Sequence, residues 1–305
     1  MAKTIFGKMC KLFSVFIAAA VLAGCVFMFT ACESKNPEIR MTISFNGEEY
    51  VLEYKLYRNY APQTVAHYIE LIDADYFDGT VIHDYKDGDR MIGGGFTYEG
   101  GDMDGGDVVD DLVQLDYDAA TTDGNGNVTL ENISLWSDAD CTQPMNRLYG
   151  ETSKNGFSVD NGGLRNQFGA LGTYTYAYDV RQSEVIPDYV YAPGSGDSAS
   201  AMRYAQNSFQ GMFYIYLGSG GGSETDYCIF GELKDDASNT ALTDLETAID
   251  DYVADEANNL DSFTEEMENS TVLDSMIQGG SYEVTDNFDV PQVRIIITDV
   301  TVTKY

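Results

Sequence analysis

The sequence predicts a mainly β fold, an antiparallel barrel with an α-helix over each opening. Short runs of branched and aromatic residues, which are typical of strands, recur from residue 41 to the C-terminus. One amphipathic helical pattern stands near the start of this region, and another stands near its end. Strands throughout, with one helix early and one late, favour a barrel on which the two helices pack.

A tight hairpin is predicted at the first two strands. Residues 41–45 and 50–57 carry strand patterns, and Asn46-Gly47 lies between them. This dipeptide suits a two-residue turn, because both central residues of such a turn take positive φ. Further strands are predicted at residues 211–217, 228–233, 293–297 and 300–302.

The early helix begins at Ala61-Pro62, since proline is tolerated in a first helical turn. His67 lies away from the apolar stripe of this helix, which predicts a surface position rather than a ligand. The stripe follows the spacing i, i+3, i+4 and i+7 and consists of Val65, Tyr68, Ile69 and Ile72.

The late helix is predicted from a capping box formed by Thr243 and Glu246. Helical character continues through residues 255–280. The apolar face of the helix is Leu245, Ile249, Tyr252 and Val253, and that of the continuation is Leu260, Phe263 and Met267.

Two regions rich in Gly and Asp, near residues 100–160 and 175–206, are predicted to be loop insertions. Residues 123–127 superficially match a calcium-binding loop. That loop requires glycine after its third oxygen ligand, and Val128 stands there, so a turn between two short strands is the better interpretation. Because no interdomain linker is found in the sequence, residues 39–305 are predicted to form a single domain.

The chain is strongly acidic, with 17 Lys+Arg against 50 Asp+Glu and a net charge of −33. Nucleic acid and anionic lipid surfaces would be repelled, so neither is predicted as a partner of the acidic surface. A solvated surface that keeps the protein soluble is favoured over specific capture of cations or basic peptides.

Residues 1–31 are typical of an export signal, because lysines precede an apolar run at residues 12–31 and polar residues follow. The segment Leu22-Ala23-Gly24-Cys25 resembles a bacterial lipobox, and a looser match ends at Cys32, so either cysteine is a candidate for lipidation. The alternative is an uncleaved transmembrane anchor, since the apolar run is just long enough to span a bilayer. Either alternative predicts a protein outside the cytoplasm, held to the cell membrane through a tether at residues 32–38.

Cysteine and histidine usage indicates no metal centre. Only His67 and His83 exist, and they share no ligand spacing with the cysteines. A disulfide between Cys141 and Cys228 is allowed, but nothing in the sequence supports it. We therefore predict no metal and no cofactor.

Several short motifs follow one another in a recognisable order, from residue 56 to residue 231. They are Leu56-Tyr57, Ala61-Pro62, Thr64-Val65, Tyr68-Ile69, Tyr76, Asp78-Gly79-Thr80, Ile82-His83, Gly169-Ala170-Leu171, Asn207-Ser208, Gly211-Met212-Phe213-Tyr214-Ile215, Asp226-Tyr227 and Ile229-Phe230-Gly231. Together they resemble the cyclophilins, a β-barrel class of peptidyl-prolyl isomerases. The resemblance covers roughly residues 39–100 and 160–305 and implies a closed antiparallel β-barrel capped by two α-helices.

The resemblance also implies a catalytic chemistry whose central residue is replaced. In cyclophilins a guanidinium hydrogen-bonds the imide nitrogen of a twisted X-Pro bond, and Asp84 stands at that arginine's position. An ionised carboxylate cannot donate this bond. Arg90 is the cation that could substitute, and the alternative is an ordinary surface arginine paired with Asp87 or Asp89.

The proline pocket that the resemblance implies is less altered. The family's catalytic glutamine corresponds to Gly93 or Ile92, and the only tryptophan, Trp136, does not match the family's pocket tryptophan. The implied pocket residues are Met91, Met212, Phe213, Tyr214, Tyr227 and Tyr174.

Two functions follow from the resemblance. The first is a peptidyl-prolyl cis/trans isomerase that assists the folding of exported proteins by acting on proline-containing peptides or unfolded chains. The second is a catalytically inactive protein of the same fold that binds such peptides as a chaperone, and the replaced arginine and glutamine favour it. A third hypothesis, capture of a small ligand or metal, has no residues in its support.

Overall fold

The architecture is given by a computed structural model. It describes residues 36–98, 111–115, 135–136, 140, 144–145, 148, 150–152, 164–174, 189–193, 199–203, 211–220, 227–260, 262–272 and 283–305. The predicted export signal, both candidate lipidation cysteines, residues 123–127 and Cys141 lie outside these residues. The chain divides into a unit of Met1–Ser34 with Tyr305, of which only Tyr305 is described, and a unit of Lys35–Lys304, which contains every element below.

The described residues form a mainly β structure with two α-helices, α1 (Pro62–Asp73) and α2 (Asp236–Ala254). The strands of the largest sheet are β1 (Glu38–Phe45), β2 (Glu48–Leu56), β3 (Ile82–Lys86), β4 (Arg90–Gly93), β9 (Leu171–Thr173), β12 (Phe213–Tyr216), β13 (Ile229–Leu233) and β16 (Ile295–Lys304). The other strands are β5 (Phe96–Tyr98), β6 (Leu112–Gln114), β7 (Leu135–Trp136), β8 (Pro144–Met145), β10 (Tyr189–Pro193), β11 (Ala199–Arg203), β14 (Thr264–Val272) and β15 (Glu283–Pro291).

The eight strands of the largest sheet lie in the order β16-β1-β2-β13-β9-β12-β4-β3, and all their pairings are antiparallel. The sheet curls until its two edges meet at one bridge, between Val81 and Ile296. Beside this bridge the Ile297 amide donates to the Thr80 carbonyl at 2.8 Å. The result is a curled half-barrel, and the predicted closure by a continuous ladder of strands is not seen.

Strands from the two predicted insertions pair with each other. The second sheet has the order β11-β10-β7-β8, and Tyr191 of β10 lies opposite Trp136 of β7. β5 pairs with β6, and β14 pairs with β15.

The predicted β1–β2 hairpin is confirmed. Asn46 and Gly47 have φ values of 49° and 84°, and Phe45 lies opposite Glu48, as a two-residue turn requires. Alternate residues of β1 then point into the core, because successive side chains of a strand face opposite sides of its sheet. These buried residues are Ile39, Met41, Ile43 and Phe45.

The prediction of α1 is also confirmed, and its apolar stripe joins the main core. Ala61 offers no side-chain cap, so the free amides of the first helical turn are capped from elsewhere. The amides of Gln63 and Thr64 donate to the Glu151 carboxylate at 3.3 and 2.9 Å. The prediction that His67 lies at the surface is wrong: its side chain is fully buried, beside the ring of Tyr68.

The predicted start of α2 is wrong. The helix begins seven residues before Thr243, at Asp236, and Asp235 is its N-cap, accepting from the Ser238 amide at 2.9 Å. Thr243 lies inside the helix, where its hydroxyl donates to the Asn239 carbonyl. An Asp-x-x-Ser pattern therefore starts this helix, and the Thr-x-x-Glu pattern does not.

The predicted helical continuation over residues 255–280 is wrong for most of the residues that the structure describes there. A single 3-10 turn occupies Glu256–Asn258, and β14 follows. Met267 lies opposite Phe288 of β15 rather than on a helical stripe. Leu260 and Phe263, which precede β14, pack on the main core instead.

Among the described residues, no helix is both long and apolar enough to cross a bilayer.

Candidate functional site

Side chains along β4 and β12 alternate between the two faces of the large sheet. Met91 and Phe213 are fully buried in the main hydrophobic core, which lies on the inner face. Arg90 lies opposite Tyr216, and Ile92 lies opposite Tyr214. These four residues alternate with the core residues and therefore belong to the opposite, outer face.

Three tyrosines form a cluster on the outer face, and we call Tyr174, Tyr214 and Tyr227 the tyrosine cluster. The rings of Tyr174 and Tyr227 stack with centroids 5.6 Å apart, and Tyr214 meets Tyr227 edge-on at the same distance. Gly172, the cross-strand partner of Tyr214, gives this ring its room, because a Cβ there would lie 2.3 Å from the ring's Cε1. Tyr174 and Tyr214 are buried, with 4% and 3% of their surface exposed, so Tyr227 is the partly exposed ring of the cluster.

Arg90 brings a guanidinium to the edge of the tyrosine cluster. Its Cζ lies 5.8 Å from the centroid of the Tyr174 ring, and its side chain is 37% exposed. Its Nε lies 3.4 Å from Oδ2 of Asp84, and its Nη1 lies 3.9 Å from Oδ2 of Asp89. Burial lowers the pKa of Arg90, but interaction with Tyr174 and Asp84 raises it by more than burial lowers it. The net pKa lies above the ordinary value, so the guanidinium stays charged.

Asp84 is buried beneath a strand that is remote in sequence. Its side chain is 4% exposed, and its Oδ1 accepts a hydrogen bond from the Asp289 amide of β15 at 2.8 Å. Burial raises the pKa of this carboxyl, while the Asp289 amide and the Arg90 charge oppose that rise. The carboxylate thus joins three elements: β3, β4 and β15.

His83, the neighbour of Asp84, is enclosed by aromatic rings. It is fully buried, with ring centroids 4.5 Å from Phe96 and 4.9 Å from Phe288. Burial lowers its pKa to about 3, so the imidazole is neutral at physiological pH. Together with Asp289, Phe288 makes β15 a cover over the outer face of β3.

The structure brings together only part of the predicted pocket. Tyr174, Tyr214, Tyr227 and Arg90 meet on the outer face, whereas Met91 and Phe213 point into the core. Met212 is 6% exposed and packs over Gly95, where a Cβ would lie 2.5 Å from its Cγ.

The sequence reasoning missed the contribution of β15. Val284, Phe288 and Val290 are separated by even numbers of residues, which is a strand signal, and it could have indicated a covering strand here. The contact of Asp289 with Asp84 spans 205 residues, and no local pattern marks it.

The described residues include no group of three or more His, Cys, Asp or Glu side chains arranged to hold a metal ion. Cys228 is a buried free thiol. Burial raises its pKa to about 12, which leaves it protonated and unreactive.

Comparison with known proteins identifies the family. The model of the cyclophilin type peptidyl-prolyl cis-trans isomerase family matches residues 40–260, most of the chain, so the protein belongs to this family. The resemblance seen in the sequence is thereby confirmed at the level of family.

Two crystal structures of a Cryptosporidium parvum cyclophilin type peptidyl-prolyl cis-trans isomerase are similar to this chain. One is 15% identical with a TM-score of 0.39, and the other, determined in the presence of the dipeptide Ala-Pro, is 14% identical with a TM-score of 0.40. Each comparison covers 88% of this chain and 99% of the other. No curated protein matches the chain.

Proposed function

We propose that the outer face of β4 and β12 binds proline-containing peptides and that Arg90 gives the protein a weak prolyl isomerase activity. The observation that carries this proposal is the guanidinium of Arg90 beside Tyr174, at the edge of the tyrosine cluster. Recognition of an X-Pro bond requires an apolar contact for proline next to a hydrogen-bond donor; here the partly exposed ring of Tyr227, supported by the buried rings of Tyr174 and Tyr214, offers that contact.

To accelerate isomerisation of an X-Pro bond, the protein needs only to favour the twisted amide. The X-Pro amide resists rotation, with a barrier of about 18–20 kcal/mol, because its C–N bond has partial double-bond character. A guanidinium that donates to the imide nitrogen favours the twisted amide, in which that nitrogen is pyramidal and free to accept. Each 1.36 kcal/mol of such preference for the transition state accelerates the reaction about tenfold.

We expect this acceleration to be modest, because two carboxylates compete for Arg90. Asp84 lies against its Nε, and Asp89 lies near its Nη1. A peptide nitrogen must therefore use the donors that remain. Replacement of the family's arginine by Asp84 favours a second candidate function, peptide binding without catalysis.

A protease-coupled isomerisation assay on a short Ala-Pro peptide separates the two candidates. We expect measurable turnover in the wild type that is lost in Arg90→Ala. The control is Arg40→Ala on β1, which removes an arginine whose ion pair with Glu53 is exposed. Turnover that survives Arg90→Ala would refute the role of Arg90. Peptide binding without turnover, with turnover gained in Asp84→Arg, would establish the binding-only function.

We further propose that the protein acts outside the cytoplasm as a membrane-anchored lipoprotein that assists exported proteins as they fold. The support is the lipobox-like sequence at Cys25, with Cys32 as the alternative. Metabolic labelling with palmitate should be abolished by Ala at one of these two positions and retained at the other. Absence of labelling in the wild type would refute the lipid anchor, and labelling that persists when both cysteines are replaced would refute attachment at either of them.

A further inference from the structure

The structure assigns Asp84 a positioning role: its carboxylate holds the guanidinium of Arg90 beside Tyr174 and fastens β15 over β3. The consequence of this inference for peptide binding rests on the proposed function. Its structural part, the contacts of one carboxylate with two partners, stands independently of any ligand.

The geometry divides the two carboxylate oxygens between two partners. Oδ1 accepts from the Asp289 amide at 2.8 Å, and Oδ2 lies 3.4 Å from Nε of Arg90. Because the side chain is only 4% exposed, water competes little for either oxygen. One buried carboxylate therefore couples the position of β15 to the direction of the Arg90 side chain.

The contact with Arg90 matters because arginine has a long side chain with many rotamers. Ordering such a side chain when a ligand binds costs conformational entropy. Asp84 engages the Nε edge in advance and places the planar group next to Tyr174. The guanidinium is then preorganised before a peptide arrives.

The contact with β15 sets one limit of the peptide site. Phe288 packs on His83 and Phe96, and Val290 is fully buried. These contacts cover the outer face of β3. Peptide contacts are thereby directed to β4, β12 and the tyrosine cluster.

A double-mutant cycle on the intact chain tests the positioning role, with Asp84→Asn, Arg90→Gln and both together. The readout is affinity for a blocked Ala-Ala-Pro-Ala peptide. Because both changes act through one guanidinium, we expect each to weaken binding on the order of tenfold and the pair to weaken it no further. Asp87→Asn, which removes an exposed aspartate from the same turn, is the matched control and should leave affinity unchanged. Additive losses would overturn the inference.

Two NMR measurements keep the inference testable whatever the peptide does. The Nε–H signal of Arg90 should shift in Asp84→Asn, and the Asp289 amide should exchange with solvent faster there, with neither change in Asp87→Asn. If Asp84→Asn does not fold, the wild-type Arg90 Nε–H should still exchange more slowly than that of Arg40, whose partner Glu53 is 22% exposed against 4% for Asp84. Equal exchange, or unaltered signals in Asp84→Asn, would refute the role. A normal result here with no peptide binding would instead refute the proposed function alone.

Discussion

The inner and outer faces of the large sheet bury different kinds of side chain. On the inner face, most buried side chains are apolar and pack on one another, as Phe213 does on Phe77 with ring centroids 5.7 Å apart. On the outer face around β3, the buried groups include the polar side chains of His83 and Asp84. Burying polar groups costs stability unless their interactions are satisfied. The inner face therefore accounts for stability, and the outer face carries features that stability alone does not require.

The largest expected effect comes from the inner face. Phe213→Ala should lower the free energy of unfolding by about 3–5 kcal/mol, because it removes a fully buried ring and leaves a cavity. Tyr227→Ala, on the outer face, removes a partly exposed ring and should cost much less stability while weakening affinity for an X-Pro peptide. Urea denaturation and peptide titration of both variants measure the contrast. Equal stability losses would break the distinction between the two faces.

The next effect is a pH dependence that arises from His83. Its pKa in the folded protein, about 3, lies below the ordinary value of 6.5, because burial disfavours the charged imidazole. Its neutral form therefore contributes fully above pH 6.5, and stability falls as the pH drops from 6.5 toward 3, by up to about 1.36 kcal/mol per pH unit.

Comparison with His83→Phe isolates this contribution, since the ring between Phe96 and Phe288 is retained and the titration is removed. The unfolding free energy of the variant should fall less steeply with acid than that of the wild type. Parallel pH profiles would show that His83 is not held neutral under β15.

Substitution of two glycines should have different effects: one change should mainly lower stability, and the other should mainly lower peptide affinity. Gly93→Ala places a Cβ 2.8 Å from Ile82 and 3.2 Å from Phe213 in the core, so we expect a stability loss of about 1–3 kcal/mol. Gly172→Ala places a Cβ against the Tyr214 ring and should reduce peptide affinity by displacing it. Thermal unfolding and peptide titration test both. Unchanged affinity in Gly172→Ala would mean that the position of Tyr214 is unimportant for binding.

The smallest expected effect is that of Tyr214→Phe. The hydroxyl donates to Oδ1 of Asn166 at 3.2 Å, and its loss should cost about 1 kcal/mol of stability. Because the ring remains, peptide affinity should change less than in Tyr227→Ala. A larger loss of affinity would show that the peptide uses the hydroxyl rather than the ring.

The sequence predicts those features whose causes are local. The β1–β2 hairpin follows from Asn46-Gly47, and α1 follows from Pro62 and its apolar stripe. The predicted start of α2 is wrong because it relies on the Thr243 capping box, whereas Asp235 caps the helix. The Asp-x-x-Ser pattern at Asp235 is also local, so the sequence contains the signal for the correct start.

The candidate site was less predictable, because distant contacts decide it. The tyrosine cluster and Arg90 were recognised through the family resemblance. The environment of Asp84 depends on an amide 205 residues away, and the burial of His67 depends on the tertiary packing of α1. No local sequence pattern predicts either of these environments.

The most direct test is an NMR titration of the uniformly 15N-labelled protein with a short Ala-Pro peptide and with the matching Ala-Ala peptide. We predict that the Ala-Pro peptide shifts the signals of Arg90, Ile92, Tyr174, Tyr214 and Tyr227, and that the Ala-Ala peptide shifts them far less. Shifts confined to other surfaces, such as α2 or the β1–β2 hairpin, would contradict the assignment of peptide binding to the outer face.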